Sequence, residues 1–375
     1  MGTLTQLLIA ILAVSAVVVL LAVSVVMVRV ARLRAGRRRA RLAAPLRPVL
    51  LALASHEDPA PHDPAPSAAA EAGVERDLDR VAGADRRLWR AVEPSLLALV
   101  AKVRGSSREL LVEVLRRRGA YEESLRLTGA RRAVRRATGA DRLGLLGDPA
   151  AQPAVIRLLA DPDADVRRVA TRAASRLPSE AAARAVLETL DGPRPVPARV
   201  VTQALLRMGQ PAVPALMEKA ADGPPAVAAT AVEVLGLLRS VAAAPVILSA
   251  LQKGAPEVRV RAARALGRIG TPAAVGPLME ATGPDRPPEM RVVALGALGA
   301  IGDGRRAADM AELLGDPEPG VARAAGRALG ALGPAGEESL RRVAAAGGPA
   351  ARYAEEALGS VEMARHRAAP RGRVS

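Results

Sequence analysis

The chain contains no cysteine and no phenylalanine, and its only aromatic residues are Trp89, Tyr121 and Tyr353 in a length of 375. Without cysteine there are no disulfides, no thiolate metal sites and no thiol nucleophile. So few rings argue against a reader of single-stranded nucleic acid, which stacks bases on aromatic side chains. Histidine is nearly as scarce: His56 and His62 precede the repeats described below, and His366 follows them. Most histidine-based catalysis and transition-metal chemistry thus lack their usual groups. Lysine is rare as well, since Lys102, Lys219 and Lys253 are the only lysines among 54 basic side chains. Part of that arginine excess reflects the codon usage of a high-GC genome, as the abundant Ala, Gly and Pro also suggest. What remains is 50% hydrophobic and 25% charged, enough to bury a sizeable core. Composition favours a binding protein over an enzyme.

The net charge of +16 is unevenly spread. Arg29, Arg32, Arg34, Arg37, Arg38, Arg39, Arg41 and Arg47 precede the first acid, Glu57, whereas residues 48–128 are near balance. The arginines follow an uncharged run, Gly2 to Val28, dominated by Leu, Val, Ile and Ala. At ~1.5 Å per residue this run exceeds the ~30 Å hydrocarbon core of a bilayer. No basic side chain precedes it, so an uncleaved anchor is expected rather than a signal peptide. The positive-inside rule then places the amino terminus outside and the remainder in the cytoplasm, as a single-pass protein of the plasma membrane. The arginines are also positioned to meet anionic headgroups. Leu46 to Ala54 is apolar but too short to span, and the Pro-Ala-rich segment after it reads as an extended linker.

From about residue 130 the sequence repeats. Thirteen-residue stretches begin at Val166, Pro197, Val227, Val258, Met290 and Val321, spaced by 30 to 32 residues. Their fifth column reads Ala170, Val201, Ala231, Ala262, Ala294, Ala325, and the ninth Ala174, Leu205, Leu235, Leu266, Leu298, Leu329. With positions 1 and 12 these make a 4, 4, 3 spacing, which predicts an amphipathic helix with one apolar face. The eighth column is Ala or Val throughout, which lets neighbouring helices approach closely. Each stretch ends in Gly or another breaker, followed by a second helix that often starts with Pro, as at Pro211, Pro272 and Pro334. Two helices in about 31 residues cannot bury their apolar faces alone, so the repeats must stack. A looser copy from Arg131 gives seven full repeats, and a closing helix ends near Met363.

DPDADVRRVA from Asp161, EVRVRAARALGRIG from Glu257 and MRVVALGALGAIGD from Met290 resemble the HEAT repeat family, in its short phycobilisome-lyase-like variety. The resemblance covers about residues 130 to 363. It implies an all-α fold, a right-handed α-solenoid of stacked helix pairs behind a single N-terminal transmembrane helix. The whole arrangement is similar to membrane-anchored HEAT proteins of high-GC bacteria, which implies a partner such as a membrane glycosyltransferase. The domains expected are an anchor (1–30), a basic juxtamembrane segment (31–54), a linker (55–75), a helical cap (76–128), the solenoid (129–364) and a basic tail (365–375). In the cap, Leu88 to Arg118 reads as a helical pair, with Ser106 and Glu109 at capping-box spacing.

Little in the chain points to catalysis. Gly296, Gly299, Gly302 and Gly304 do not fit G-x-G-x-x-G, and they recur at repeat positions. The iron-dependent hydroxylase of the resembled family holds its metal with several His-Glu pairs; here the only one is His56-Glu57, in the linker. No cofactor and no metal are expected. The function expected is a protein-interaction scaffold, with a lyase-like or other enzyme-associated protein, or a basic nucleic-acid-binding solenoid, as alternatives. Glu188, Glu218, Glu280 and Glu312 fall nine or ten residues after each first-helix terminator. Stacking should align them in an acidic row on the second-helix face, which the resemblance makes the concave one. The row breaks at Ser249 or Ala250 and gives way to Arg157 and Arg342 near the ends. A protein bearing a basic helix or loop is the partner such a row would favour, nucleic acid is not, and the amino-terminal helix and arginines would contact the membrane.

Overall fold

The computed structural model describes residues 41–56 and 68–368, with a few isolated positions before them. Most of the expected anchor, Arg32, Arg34, Arg37 and Arg39, most of the expected linker, and the tail from residue 369 lie outside the described residues. Among the described residues no helix is long and apolar enough to cross a membrane. Every regular element among them is helical, and the chain divides into two compact units between Ser124 and Leu125.

The first unit contains α1 (Arg47–Ala54), α2 (Ala68–Ala82), α3 (Arg86–Val100) and α4 (Gly105–Arg117), and α1, α2 and α3 all pack on α4. The helical pair expected between Leu88 and Arg118 is α3 and α4. Three local expectations need correction. The apolar stretch Leu46 to Ala54 belongs to this packed unit and not to a separate juxtamembrane segment, because α1 buries Val49, Leu50 and Leu53. Helix α2 begins at Ala68, inside the segment expected as extended linker, where an alanine run with Glu71 in the first turn outweighs the prolines before it. The capping box does not form. Helix α4 starts at Gly105, which puts Ser106 inside the first turn, and Arg104 at the N-cap makes no side-chain cap. The hydroxyls of Ser106 and Ser107 donate to the His56 carbonyl instead, Ser107 at 2.6 Å. Trp89 is covered by the Arg118 guanidinium, 4.6 Å from the ring centroid.

Helix α5 (Ala120–Thr128) spans the division, and the second unit continues as seven helix pairs. The first helices are α6 (Ala133–Leu146), α8 (Ala164–Ala174), α10 (Ala198–Met208), α12 (Pro225–Leu237), α14 (Pro256–Ile269), α16 (Pro288–Ile301) and α18 (Pro319–Ala331). The second helices are α7 (Gln152–Arg157), α9 (Glu180–Glu188), α11 (Val213–Asp222), α13 (Ala244–Lys253), α15 (Val275–Glu280), α17 (Ala307–Glu312) and α19 (Pro334–Ala346). Helix α20 (Ala351–Ala368) closes the array. Each first helix packs on the next, and most second helices do the same, so two layers of helices share one core. Pro211 and Pro272 fall in short 3-10 turns that lead into α11 and α15.

The columns read from the sequence are the core. Every fifth-column residue is fully buried, and so are Leu205, Leu235, Leu266 and Leu329 of the ninth. The twelfth column is less complete, since Leu238, Ile269 and Ile301 are only half-buried. Pro197 of the first column is exposed, and Val196 beside it is buried instead.

The seam between first helices is closer than alanine alone would allow. A Cβ on Gly267 of α14 would lie 2.8 Å from the Ala297 Cα of α16, and one on Gly299 would lie 2.9 Å from the Ala328 Cα of α18. Gly144 stands in the same relation to Ala173. With Gly236 against Ala265, four of the six junctions set a tenth-position glycine against the eighth-column alanine of the next helix, and Ser175 and Leu206 stand at the other two. Gly302, by contrast, is used for its backbone, at φ 80°, where it ends α16.

A seam glycine and an unconstrained helical glycine predict opposite mutational outcomes. Gly267→Ala should destabilise the second unit by about 1–3 kcal/mol through overpacking. Gly296→Ala, in the exposed interior of α16 with nothing within 4 Å, should stabilise it by up to about 1 kcal/mol. Denaturant midpoints of the two variants against the wild type provide the check.

Candidate interaction surface

The second helices carry one register position that is exposed in all seven repeats: Arg157, Glu188, Glu218, Ser249, Glu280, Glu312 and Arg342. The four glutamates singled out in the sequence therefore share a layer and a register, with α9 packed on α11. Their electrostatic surroundings differ. Arg184 of α9 donates to Glu218 Oε2 through Nη2 at 2.6 Å and Nε at 3.1 Å, while also bonding Glu180 at 2.8 Å. These hydrogen bonds hold the Glu218 carboxyl below its usual range, and Lys219 at 3.5 Å adds to the effect. Glu188 and Glu312 have no ion pair among the described residues. Glu280 sits among arginines. The register is regular in exposure and mixed in charge.

A second periodic feature escaped the apolar columns. The second position of the repeat holds Arg136, Arg167, Arg259 and Arg291, and alanine in the other three repeats. Arg136 makes a bidentate pair with Asp161, which lies 25 residues on, at 2.6 and 2.8 Å. It also donates to the carbonyls of Ala130 and Arg131. Arg291 repeats this arrangement with Asp316, again 25 residues on, and its Nε donates to the Thr282 carbonyl at 2.9 Å. Both partners of the Arg291–Asp316 pair are 6% exposed. Arg167 is buried and donates to the carbonyls of Asp161 and Pro162 at 2.7 and 3.1 Å. Each of these arginines binds carbonyls at the turn that leads into its own helix, and two of them also hold the acid after the following second helix.

Arg259 departs from this pattern. The next repeat begins 32 residues after Val258, and residue 284, where the acid would fall, is proline. Asp285 lies beside it, 72% exposed, paired with Arg286 at 3.3 Å. The side chain of Arg259 has no hydrogen bond or ion pair among the described residues, its amide alone bonding the Ala255 carbonyl. It lines a groove of about 590 Å³ between the turn from α13 to α14 and the turn from α15 to α16. Arg261, Arg264 and Arg286 line the same groove, with Glu257, Glu280 and Glu289 between them and Leu251, Val260, Pro277 and Met290 as apolar wall. Arg261 is occupied by Glu233 at 2.6 Å and Glu257 at 2.7 Å. Arg264 is exposed and, like Arg259, without an acid.

Of the basic cluster expected at the membrane, Arg29, Arg38 and Arg41 are described and exposed. Among the described residues no three His, Asp or Glu side chains gather in a way that would hold a metal ion.

Residues 213–291 match the family described as HEAT repeats, a span that runs from α11 into α16 and contains the groove. No curated protein matches the chain. Among solved structures it resembles an engineered protein at 18% identity, covering 84% of this chain and 98% of that one, with a TM-score of 0.37. It also resembles human deoxyhypusine hydroxylase in complex with glycerol, at 19% identity over 71% of this chain and 99% of that one, with a TM-score of 0.30. Kap121p bound to Pho4p is similar at 13% identity over 83% of this chain, which spans 40% of that protein, with a TM-score of 0.49. These likenesses carry no argument about activity.

The Asp161 carboxyl is held below its usual range, first by the Arg136 hydrogen bond and then by the Asp163 amide, against the opposing effect of burial. A carboxylate depressed on folding contributes stability that is present above its unfolded value near 3.9 and is lost as pH falls through its folded value. Asp161→Asn should therefore cost on the order of 1.5–3 kcal/mol at pH 7. The gap to the wild type should narrow as pH is lowered from 5 to 3, which thermal midpoints at several pH values would reveal.

Proposed function

We propose that this chain is a membrane-anchored interaction scaffold whose second-helix layer docks another protein, and that it is not itself an enzyme. The observation that carries the reading is the register position exposed in all seven repeats. A regular, solvent-facing row along successive second helices is the kind of extended surface that repeat arrays offer to a partner. Glu188, Glu218, Glu280 and Glu312 are the candidates for contact with basic side chains of that partner. Glu188 and Glu312 should contribute most, because neither is held in an ion pair among the described residues. The partner class implied by the sequence resemblance is a membrane-associated enzyme such as a glycosyltransferase.

Membrane anchoring rests on the uncharged run before Val28 and the arginines after it. Leu20, Val23 and Met27, the described large apolar side chains of that run, are 72%, 53% and 68% exposed. The charge asymmetry favours an outside amino terminus and a cytoplasmic solenoid at the plasma membrane.

Two measurements test the reading. Because the chain lacks cysteine, single cysteines at Gly2 and Ser375 can be probed with a membrane-impermeant maleimide in intact cells. Labelling is expected at position 2 alone, and labelling at 375 alone would reverse the topology. Pulldown of the tagged full chain from solubilised membranes should recover a dominant protein that resists added salt and nuclease. Combined Glu188→Lys and Glu312→Lys changes should lower its recovery several-fold while helicity is unchanged.

A further inference from the structure

We infer that the groove between α14 and α16 is a docking site for a short acidic-apolar peptide segment of a partner protein, whose carboxylate is bound by Arg259 and Arg264. The inference rests on the scaffold reading and names the chemistry of one contact within it.

Arg259 carries the argument. In two other repeats the arginine at this position is matched by an aspartate 25 residues on, and the pair is bidentate. In this repeat one added residue and the Gly283-Pro284 sequence carry the acid out onto the surface, where Asp285 pairs with Arg286. The guanidinium at the repeat position is left half-buried on a groove that also holds Glu257, Glu280 and Glu289, with none of them paired to it among the described residues. Guanidinium binds carboxylate as a planar fork, and partial burial strengthens that bond relative to a fully solvated one. Arg264, five residues along the same helix and also in the lining, supplies a second cation without an ion pair among the described residues.

The rest of the lining selects the class of ligand. Glu257, Glu280 and Glu289 interrupt the arginines, so a continuous polyanion such as a nucleic-acid backbone would meet repulsion along the rim. Leu251, Val260, Pro277 and Met290 offer apolar surface next to the cations. A segment that alternates a carboxylate with an apolar side chain satisfies both features. The groove volume of about 590 Å³ accommodates a few residues and not a whole helix packed along its length.

The test uses the full chain in detergent and a phage-displayed library of random dodecapeptides. Enriched peptides should carry Asp or Glu within about three residues of Leu, Ile, Val or Phe, and a fluorescein-labelled representative should bind by anisotropy in a salt-sensitive way. Its affinity should fall about tenfold or more in Arg259→Ala, and measurably in Arg264→Ala, as expected for loss of a charge-assisted fork. Arg259→Lys should bind better than Arg259→Ala but worse than wild type. Arg323→Ala, an exposed arginine on α18 outside both the groove and the second-helix register, should change affinity less than about twofold. Far-UV circular dichroism and thermal midpoints establish that the variants remain folded. No enrichment of acidic peptides, equal binding by Arg259→Ala, or displacement of the peptide by single-stranded DNA at comparable concentration would each overturn the assignment. The scaffold reading stands apart from that failure, because it requires only that the wild-type chain recover a protein partner. Loss of that partner in the pulldown, with peptide binding intact, would overturn the scaffold and leave the groove chemistry.

Discussion

The contact on which the second unit depends is the one between successive first helices, where at four of six junctions the tenth-position glycine of one meets the eighth-position alanine of the next. At Gly267 and Ala297, or Gly299 and Ala328, the facing backbones leave no room for even a methyl group. Such proximity lets small side chains make dense contact, and it fixes the spacing at which the larger ninth-column leucines meet beneath the seam. With half of the residues hydrophobic yet almost no aromatic side chains, the core is built from Ala, Val and Leu. A core of small side chains is stable only if its helices are close. The second helices inherit their spacing from this seam, so the regularity of the exposed register follows from packing on the opposite layer.

The arginine at the second position acts at a different point in the same geometry. Its guanidinium ties the turn that enters a first helix to the turn that leaves the following second helix, satisfying carbonyls that would otherwise be buried without partners. Because the acid lies 25 residues away, one inserted residue is enough to uncouple the pair. The packing columns tolerate that insertion, since Met290 and Ala294 remain buried in their places. Only the polar contact is lost, and a cation is left facing a groove. A repeat array changes its surface in this way with little effect on its core: apolar columns absorb an insertion that a bidentate ion pair cannot.

Much of the architecture was legible because it is periodic. The fifth and ninth columns identified the buried face, and the count of seven pairs with a closing helix follows from the spacing alone. The second-position arginines were not legible in the same way. On a helical wheel they read as solvated charge, and their acids belong to a distant turn. The seam glycines were visible as a repeating feature, but their alanine partners lie about 30 residues on. Outside the repeats, local signals gave less. Ser106 and Glu109 have the spacing of a cap, yet the hydroxyl beside the helix start is claimed by the carbonyl of His56, 50 residues earlier. Leu46 to Ala54 is too short to span a membrane, and its apolar face is satisfied by packing on α4, a contact between distant segments that no local pattern records.

Charge on the second-helix layer shows why a row of like residues in sequence need not act as one surface. Glu218 is neutralised by Arg184, which reaches it from the preceding second helix, and Glu280 shares its groove with four arginines. The acidic row read from the sequence, already interrupted at Ser249, is divided further by the cations beside Glu218 and Glu280. For a partner docked as proposed, such a surface would discriminate by pattern more than by net attraction, because a polyion of either sign would meet repulsion at the next repeat. The excess of arginine over the whole chain therefore says little about what this face binds. The register and spacing of its charges, set by the seam on the other layer, say more.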